Sequence, residues 1–109
     1  MKVVVTFNRP DSSYKFFYEE YAQHPVITGL HDQFVSHPGF LGKEILLEQE
    51  TSVKIAMSFD TVENFLNFAK ENQDLLDQRK VLIEDWCQRA GHTFDHQLIT
   101  DEPTHIDIP

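Results

Sequence analysis

Asn8 closes a β-branched run, and its carboxamide N–H groups are the kind of fixed donor that stabilises a substrate oxygen gaining negative charge. An asparagine there serves equally to end a strand and begin a turn, which is the commoner use of the residue. Trp86 has two roles open to it: walling a pocket for an aromatic ligand, or filling the core with its indole N–H on a backbone carbonyl. Tyr14, Phe17, Tyr18 and Tyr21 carry the same choice between pocket wall and core. The histidines do not make a metal site by spacing. Pro25 breaks the register between His24 and His31, and His92 and His96 would stand about 13 Å apart on one strand face, far beyond two ligands of a single zinc. Cys87 follows Glu84 and Asp85, whose charge disfavours a thiolate. No glycine-rich phosphate loop, nucleophile elbow or paired-cysteine motif is present, so the residues call for no cofactor and no metal.

The elements that must position these groups follow from periodicity. Lys2 to Phe7, opening on Val3-Val4-Val5, reads as a central strand. Ser12 or Ser13 can cap a helix bearing Tyr14, Phe17, Tyr18, Tyr21 and Ala22 on one face. His24-Pro25 breaks it, and Pro25 suits the first position of a second helix with the stripe Val26, Ile27, Leu30, Phe34 and Val35, stopped by His37-Pro38-Gly39. Phe40 to Glu50 and Val53 to Asp60 read as a hairpin. A three-residue loop would set Glu48 opposite Lys54 and Ile45 opposite Met57. Asp60 with Glu63 resembles a capping box before a helix with inward Val62, Phe65, Leu66 and Ala69. Helical character then runs to Ala90. About 30 residues at 1.5 Å would outreach the strands, so a break near Asn72 is expected, with Leu75, Leu76, Arg79, Leu82, Ile83 and Trp86 lining the inner side of the second segment. Thr93 to Thr100 is the last strand.

Strand, helices, strand, strand, helices, strand makes two right-handed strand-helix-strand units. That order predicts an α+β, ferredoxin-like βαββαβ antiparallel sheet with helices on one face, a domain over residues 1–100, and a tail over 101–109. By strand parity the uncovered face carries Val4, Thr6, Asn8, Leu46, Ala56 and Ile99 among Glu44, Glu48, Lys54, Ser58, Asp95 and Gln97. Such a surface is too apolar to stay wet, and a second copy of the chain would cover it.

The 109 residues fit one core. Eighteen acidic residues against nine Lys and Arg give a net charge of -9, which repels phosphate backbones and anionic lipid and excludes nucleic acid and membrane surfaces as partners. No run reaches the roughly 20 apolar residues of a membrane span, and the N-terminus lacks a secretory core, so a cytoplasmic location is expected. The lone cysteine fits a reducing compartment.

His37-Pro38-Gly39-Phe40-Leu41-Gly42 leading into the second strand, Val53 to Phe59 running directly into Asp60-Thr61-Val62-Glu63-Asn64-Phe65, and the order of elements together resemble the dimeric α+β barrel proteins of the antibiotic biosynthesis monooxygenase type. The likeness spans nearly the whole chain. It implies a homodimer whose sheets close into a barrel, with a pocket between sheet and helices in each subunit. It also implies a cofactor-independent monooxygenase acting on a hydrophobic aromatic or quinol substrate. In that mechanism an activated phenolate itself gives an electron to dioxygen, and the protein supplies orientation, desolvation and a few donors. The resemblance makes Asn8 such a donor and Phe59, Phe65, Phe68 and Trp86 the substrate walls. Haem-degrading relatives use an Asn at the end of the first strand, a Trp near the third and a His on the second helix. Asn8 matches, but Phe59 or Phe68 replaces the Trp and Gln78 or Arg79 the His, which leaves haem iron without its proximal ligand. The competing function is a non-catalytic dimer that binds a small apolar ligand or serves under stress. It would gain if the chain's own rings left less than about 300 Å³ between sheet and helices.

Overall fold

Val3, Val5 and Phe7 alternate with half-exposed neighbours along β1 (Lys2–Asn8), so one face of this strand is core from end to end. The computed structural model describes residues 1–99; the expected tail, 101–109, lies outside the described residues. β1 sits inside a four-stranded antiparallel sheet of order β2-β3-β1-β4, with β2 Phe40–Gln49, β3 Ser52–Phe59 and β4 Thr93–Ile99. This is the ferredoxin-like α+β order expected from the sequence.

The helices differ in detail from the periodicity. Residues 12–16 are not helical, and α1 is one turn, Phe17–Glu20. Two competing bonds explain this. Asp11 Oδ1 accepts from the Ser13 amide at 2.8 Å, closing a side-chain turn, and Arg9 Nη1 donates to the Tyr14 carbonyl at 2.7 Å, engaging a group that a helix would need. Glu19 then reaches back to the Phe16 amide at 3.0 Å, and Phe16 and Phe17 are buried while Tyr14 is exposed. α2 (Pro25–Ser36) begins where proline required, with His24 Nδ1 accepting from Val26 N at 3.2 Å. Val26, Leu30 and Phe34 face inward, but Val35 is exposed.

Thr61, not Asp60, caps α3 (Val62–Glu71): its hydroxyl accepts from Asn64 N at 3.1 Å. Asp60 instead takes the Thr61 amide and the Asn64 side chain, both at 2.7 Å. Phe65, Phe68 and Ala69 face inward, whereas Leu66 is partly exposed. The break falls at Asn72 as expected, where its side-chain amide donates to the Phe68 carbonyl at 3.0 Å, and α4 (Gln73–Cys87) follows. Gly91, at a φ of +77°, turns the chain toward β4 in a conformation few other residues adopt.

The β2–β3 hairpin is tighter than the sequence suggested. Gln49 pairs with Ser52 across Glu50-Thr51, and a bulge near Glu48 sets Ile45 opposite Ile55, Lys43 opposite Met57 and Leu46 opposite Lys54. The slip of two residues keeps parity between Gly42 and Leu47, so the side chains of that stretch stay on their expected faces, while a second irregularity between Phe40 and Gly42 turns Phe40 inward opposite Phe59. Glu48 still reaches Lys54, diagonally, at 3.3 Å.

Two apolar clusters fill the space between sheet and helices. One centres on Phe59, ringed by Phe34, Phe40, Phe65 and Phe68. The other joins Phe7, Phe16, Phe17, Ile83 and Trp86. β2 runs past this cover: Leu41, Ile45, Leu46 and Leu47 are all exposed.

Candidate active site

The inner stripe of α4 recurs every three or four residues, which aims Arg79 at the middle of the sheet between Leu75, Leu76, Leu82 and Ile83. There it stands between two cavities. Val5, Phe34, Met57 and Arg79 line both. The first, about 350 Å³, is closed by Phe7, Phe17, Tyr18, Ile27 and Leu30 and receives Thr28, His31, Asp32 and Lys43. The second, about 410 Å³, is walled by Phe65, Phe68, Ala69, Leu76, Ile83 and Phe94 and receives Gln73, Asp77, Lys80, Glu84 and His96. Each is large enough for a small aromatic ligand.

Arg79 is half-buried and, among the described residues, enters no ion pair and donates no hydrogen bond to the protein. Burial pushes its guanidinium down to about 10, so it remains a cation at neutral pH, held at a cost and without a bonded anion among the described residues. Its charge acts on both cavities. Lys43, from β2, is lowered by burial and then by Arg79. His96, from β4, is lowered by burial and by Arg79 against the opposing pull of Asp95, which keeps its imidazole neutral and able to take a proton. Burial, then Glu19, raise the Tyr18 phenol against the smaller pull of Arg9, so it is a neutral donor. An apolar cleft holding one unpaired guanidinium, a neutral imidazole and a phenol suits an aromatic ligand that carries, or develops, negative charge on oxygen.

The residues singled out from the sequence are divided by the fold. Phe65 and Phe68 line the second cavity together. Phe59 is fully buried as the hub of its aromatic cluster and lines neither cavity. Trp86 is likewise fully buried outside both cavities, with its Nε1–H on the Lys15 carbonyl at 3.3 Å and its ring stacked on His92 at 4.1 Å. Asn8 lies at the end of β1, outside both cavities, where its amide donates to Thr93 Oγ1 at 3.1 Å. Lys43 and His96 were missed, and Arg79 was read only as an apolar stem or an occupant of the haem-ligand position. Their signal was a basic residue sharing strand or helix parity with apolar ones: Lys43 with Ile45 and Leu47, His96 with Phe94 and Leu98, Arg79 with Leu75, Leu76 and Leu82. Among the described residues no group of three His, Cys, Asp or Glu side chains could hold a metal ion, and no helix is long and apolar enough to cross a membrane.

No protein-family model matches the sequence, and no curated protein matches it. Solved structures do. A mutant form of SnoaB, a cofactor-independent oxygenase from Streptomyces nogalater, aligns with 94% of this chain and 93% of its own at 21% identity and a TM-score of 0.51. The ActVA-Orf6 monooxygenase of Streptomyces coelicolor, solved with the ligand nanaomycin D, aligns with 99% of this chain and 90% of its own at 14% identity and a TM-score of 0.58. A dimeric ferredoxin-like protein from an uncultured marine organism aligns with 95% of this chain and 98% of its own at 8% identity and a TM-score of 0.48. The chain shares the α+β fold of SnoaB and ActVA-Orf6.

Proposed function

We propose that this chain is a cofactor-independent monooxygenase of hydroxylated fused aromatics, working in the cleft divided by Arg79. The observation that carries the reading is a guanidinium without an anionic partner among the described residues, in a cleft otherwise lined mostly by apolar side chains. A bound phenol loses its proton readily beside that charge, and His96 is the neutral base placed to take it. The phenolate passes one electron to dioxygen, the resulting carbon radical and superoxide combine as a peroxide, and loss of water leaves a carbonyl where a methylene stood. One dioxygen becomes one carbonyl oxygen and one water. The substrate supplies all four electrons that reduce dioxygen, so no other reductant is consumed. Arg79 stabilises the negative oxygen of phenolate and peroxide, and Phe65 and Phe68 face the rings. The donor role first given to Asn8 falls to Arg79, since the Asn8 amide is engaged by Thr93. Two oxygenases with this fold, SnoaB and ActVA-Orf6, support the reading as relatives in architecture.

The same reading makes the chain a homodimer. Val4, Leu46 and Ile99 share the sheet face that carries no helix among the described residues, and about half of Leu46 and of Ile99 is open. A second copy laid there would remove this apolar surface from water.

Oxygen uptake with dithranol, a dihydroxyanthrone, tests the activity. Uptake above the protein-free rate, falling about 100-fold in Arg79→Met, is expected. A non-catalytic ligand carrier would bind such a compound without consuming oxygen.

A further inference from the structure

We propose that Lys43 is a specificity residue for a second acidic group, so that the preferred ligand of the first cavity is a hydroxylated aromatic carboxylate and not a neutral phenol; this rests on the cleft reading above. Lys43 owes its position to strand parity. It pairs with Met57, which pairs in turn with Val3, so all three belong to the face of the sheet that the helices cover. Among the described residues Lys43 forms no ion pair, although β2 is rich in acids: Glu44 and Glu48 are on the opposite face, and Glu48 is taken by Lys54. Asp32 lines the same cavity but does not neutralise it. The charge acting on Lys43 is that of Arg79, which is repulsive.

Two cations therefore face one apolar cavity of about 350 Å³ with no carboxylate bonded to either among the described residues. Like charges brought together in partly dehydrated surroundings are unfavourable, and a ligand with two anionic groups relieves both at once. The geometry distributes the roles. Arg79 lies between the two cavities, on the path of the reacting ring, whereas Lys43 belongs to the first cavity alone. A phenolate at Arg79 and a carboxylate at Lys43 would fix which end of the ring system enters first. Because the chain as a whole carries -9, this local pair also supplies the attraction that the net field denies to an anionic substrate.

The test compares two probes that differ by one group, a naphthol and the corresponding hydroxynaphthoic acid, by fluorescence titration of the full chain at low and moderate salt. The acid is expected to bind about tenfold more tightly, with a preference that shrinks as salt rises. In Lys43→Met the ratio should fall to near one, while Lys70→Met, a charge removed from the outside of α3, should keep it. Equal binding of both probes to the parent protein would overturn the inference and leave the cleft reading intact. A preference that survives Lys43→Met would assign the carboxylate to Arg79 and overturn the role of Lys43. If neither probe binds, the cleft reading falls and the inference with it.

Discussion

Replacing Arg79 by methionine should make this protein more stable and less able to act on its ligand. A guanidinium held at about 10, against an ordinary value of 12.5, has a charged form disfavoured by on the order of 3 kcal/mol. Water at the half-buried head reduces the usable part to roughly 1–2 kcal/mol. Methionine keeps an unbranched apolar stem against Leu75, Leu82 and Ile83 and removes the charge, so little packing is lost in exchange. Chemical denaturation at fixed protomer concentration should show Arg79→Met gaining about 1–2 kcal/mol, and thermal unfolding should rise by on the order of 5 °C. The pH dependence fixes the cause. Because the folded value lies below the unfolded one, the cost of the charge is fully present at neutral pH and is relieved only as pH climbs from about 10 toward 12.5. The gain of the variant should therefore be flat through the neutral range and narrow above it. A group that costs stability and makes no bond among the described residues fits a role toward a ligand. If Arg79→Met instead loses more than about 1 kcal/mol, the guanidinium is holding the fold together and the functional reasoning fails.

Other consequences can be checked alongside. His92 is buried, stacked on Trp86 with Tyr14 edge-on, its Nδ1 has no hydrogen-bond partner among the described residues, and burial followed by Arg89 lowers its pKa against a smaller opposing pull from Glu20. Its folded value lies below its unfolded one, so stability is lost as pH falls below about 6.5, and His92→Phe should flatten that part of a denaturation-versus-pH curve; an unchanged curve would show that His92 does not titrate in folding. Gly39→Ala should cost about 1–3 kcal/mol by urea unfolding, because the added carbon would lie 2.6 Å from Asn64 Cβ and 2.8 Å from Asp60 Oδ1, at the start of α3. The parent chain is expected to sediment as a dimer and Leu46→Lys combined with Ile99→Lys as a folded monomer, since both side chains are about half exposed in the single chain; a variant that still dimerises would move the interface elsewhere.

Most of the architecture was legible because it rests on parity and punctuation. Val3, Val5 and Phe7 could face only one way once the strand existed, and Pro25 and Asn72 divided the helical stretches where a donor was missing or a side chain could close the end. What escaped was decided by side chains far apart in the chain or by competing local bonds. The turn at Asp11–Ser13 and the Arg9 bond to Tyr14 suppress most of the first helix, although its apolar spacing is helical. The Glu50-Thr51 turn sets the hairpin register by a bulge that no periodicity announces. The site followed the same pattern. Phe65 and Phe68 face the interior, as aromatics on an inward stripe must. Arg79 was passed over because an arginine in such a stripe usually sends its head to water, and only the packing of α4 over the sheet shows that this one lines the two cavities and is half-buried there.

An apolar cleft with an arginine that is unpaired among the described residues should let an aromatic substrate react with dioxygen unaided. Turnover of dithranol under heavy-isotope dioxygen, with metal chelated and no reductant present, measures this. One labelled atom in the product carbonyl and one in water, lost together with activity in Arg79→Met, is the predicted result. Conversion no faster than without the protein, or equimolar hydrogen peroxide with no label in the product, would contradict it.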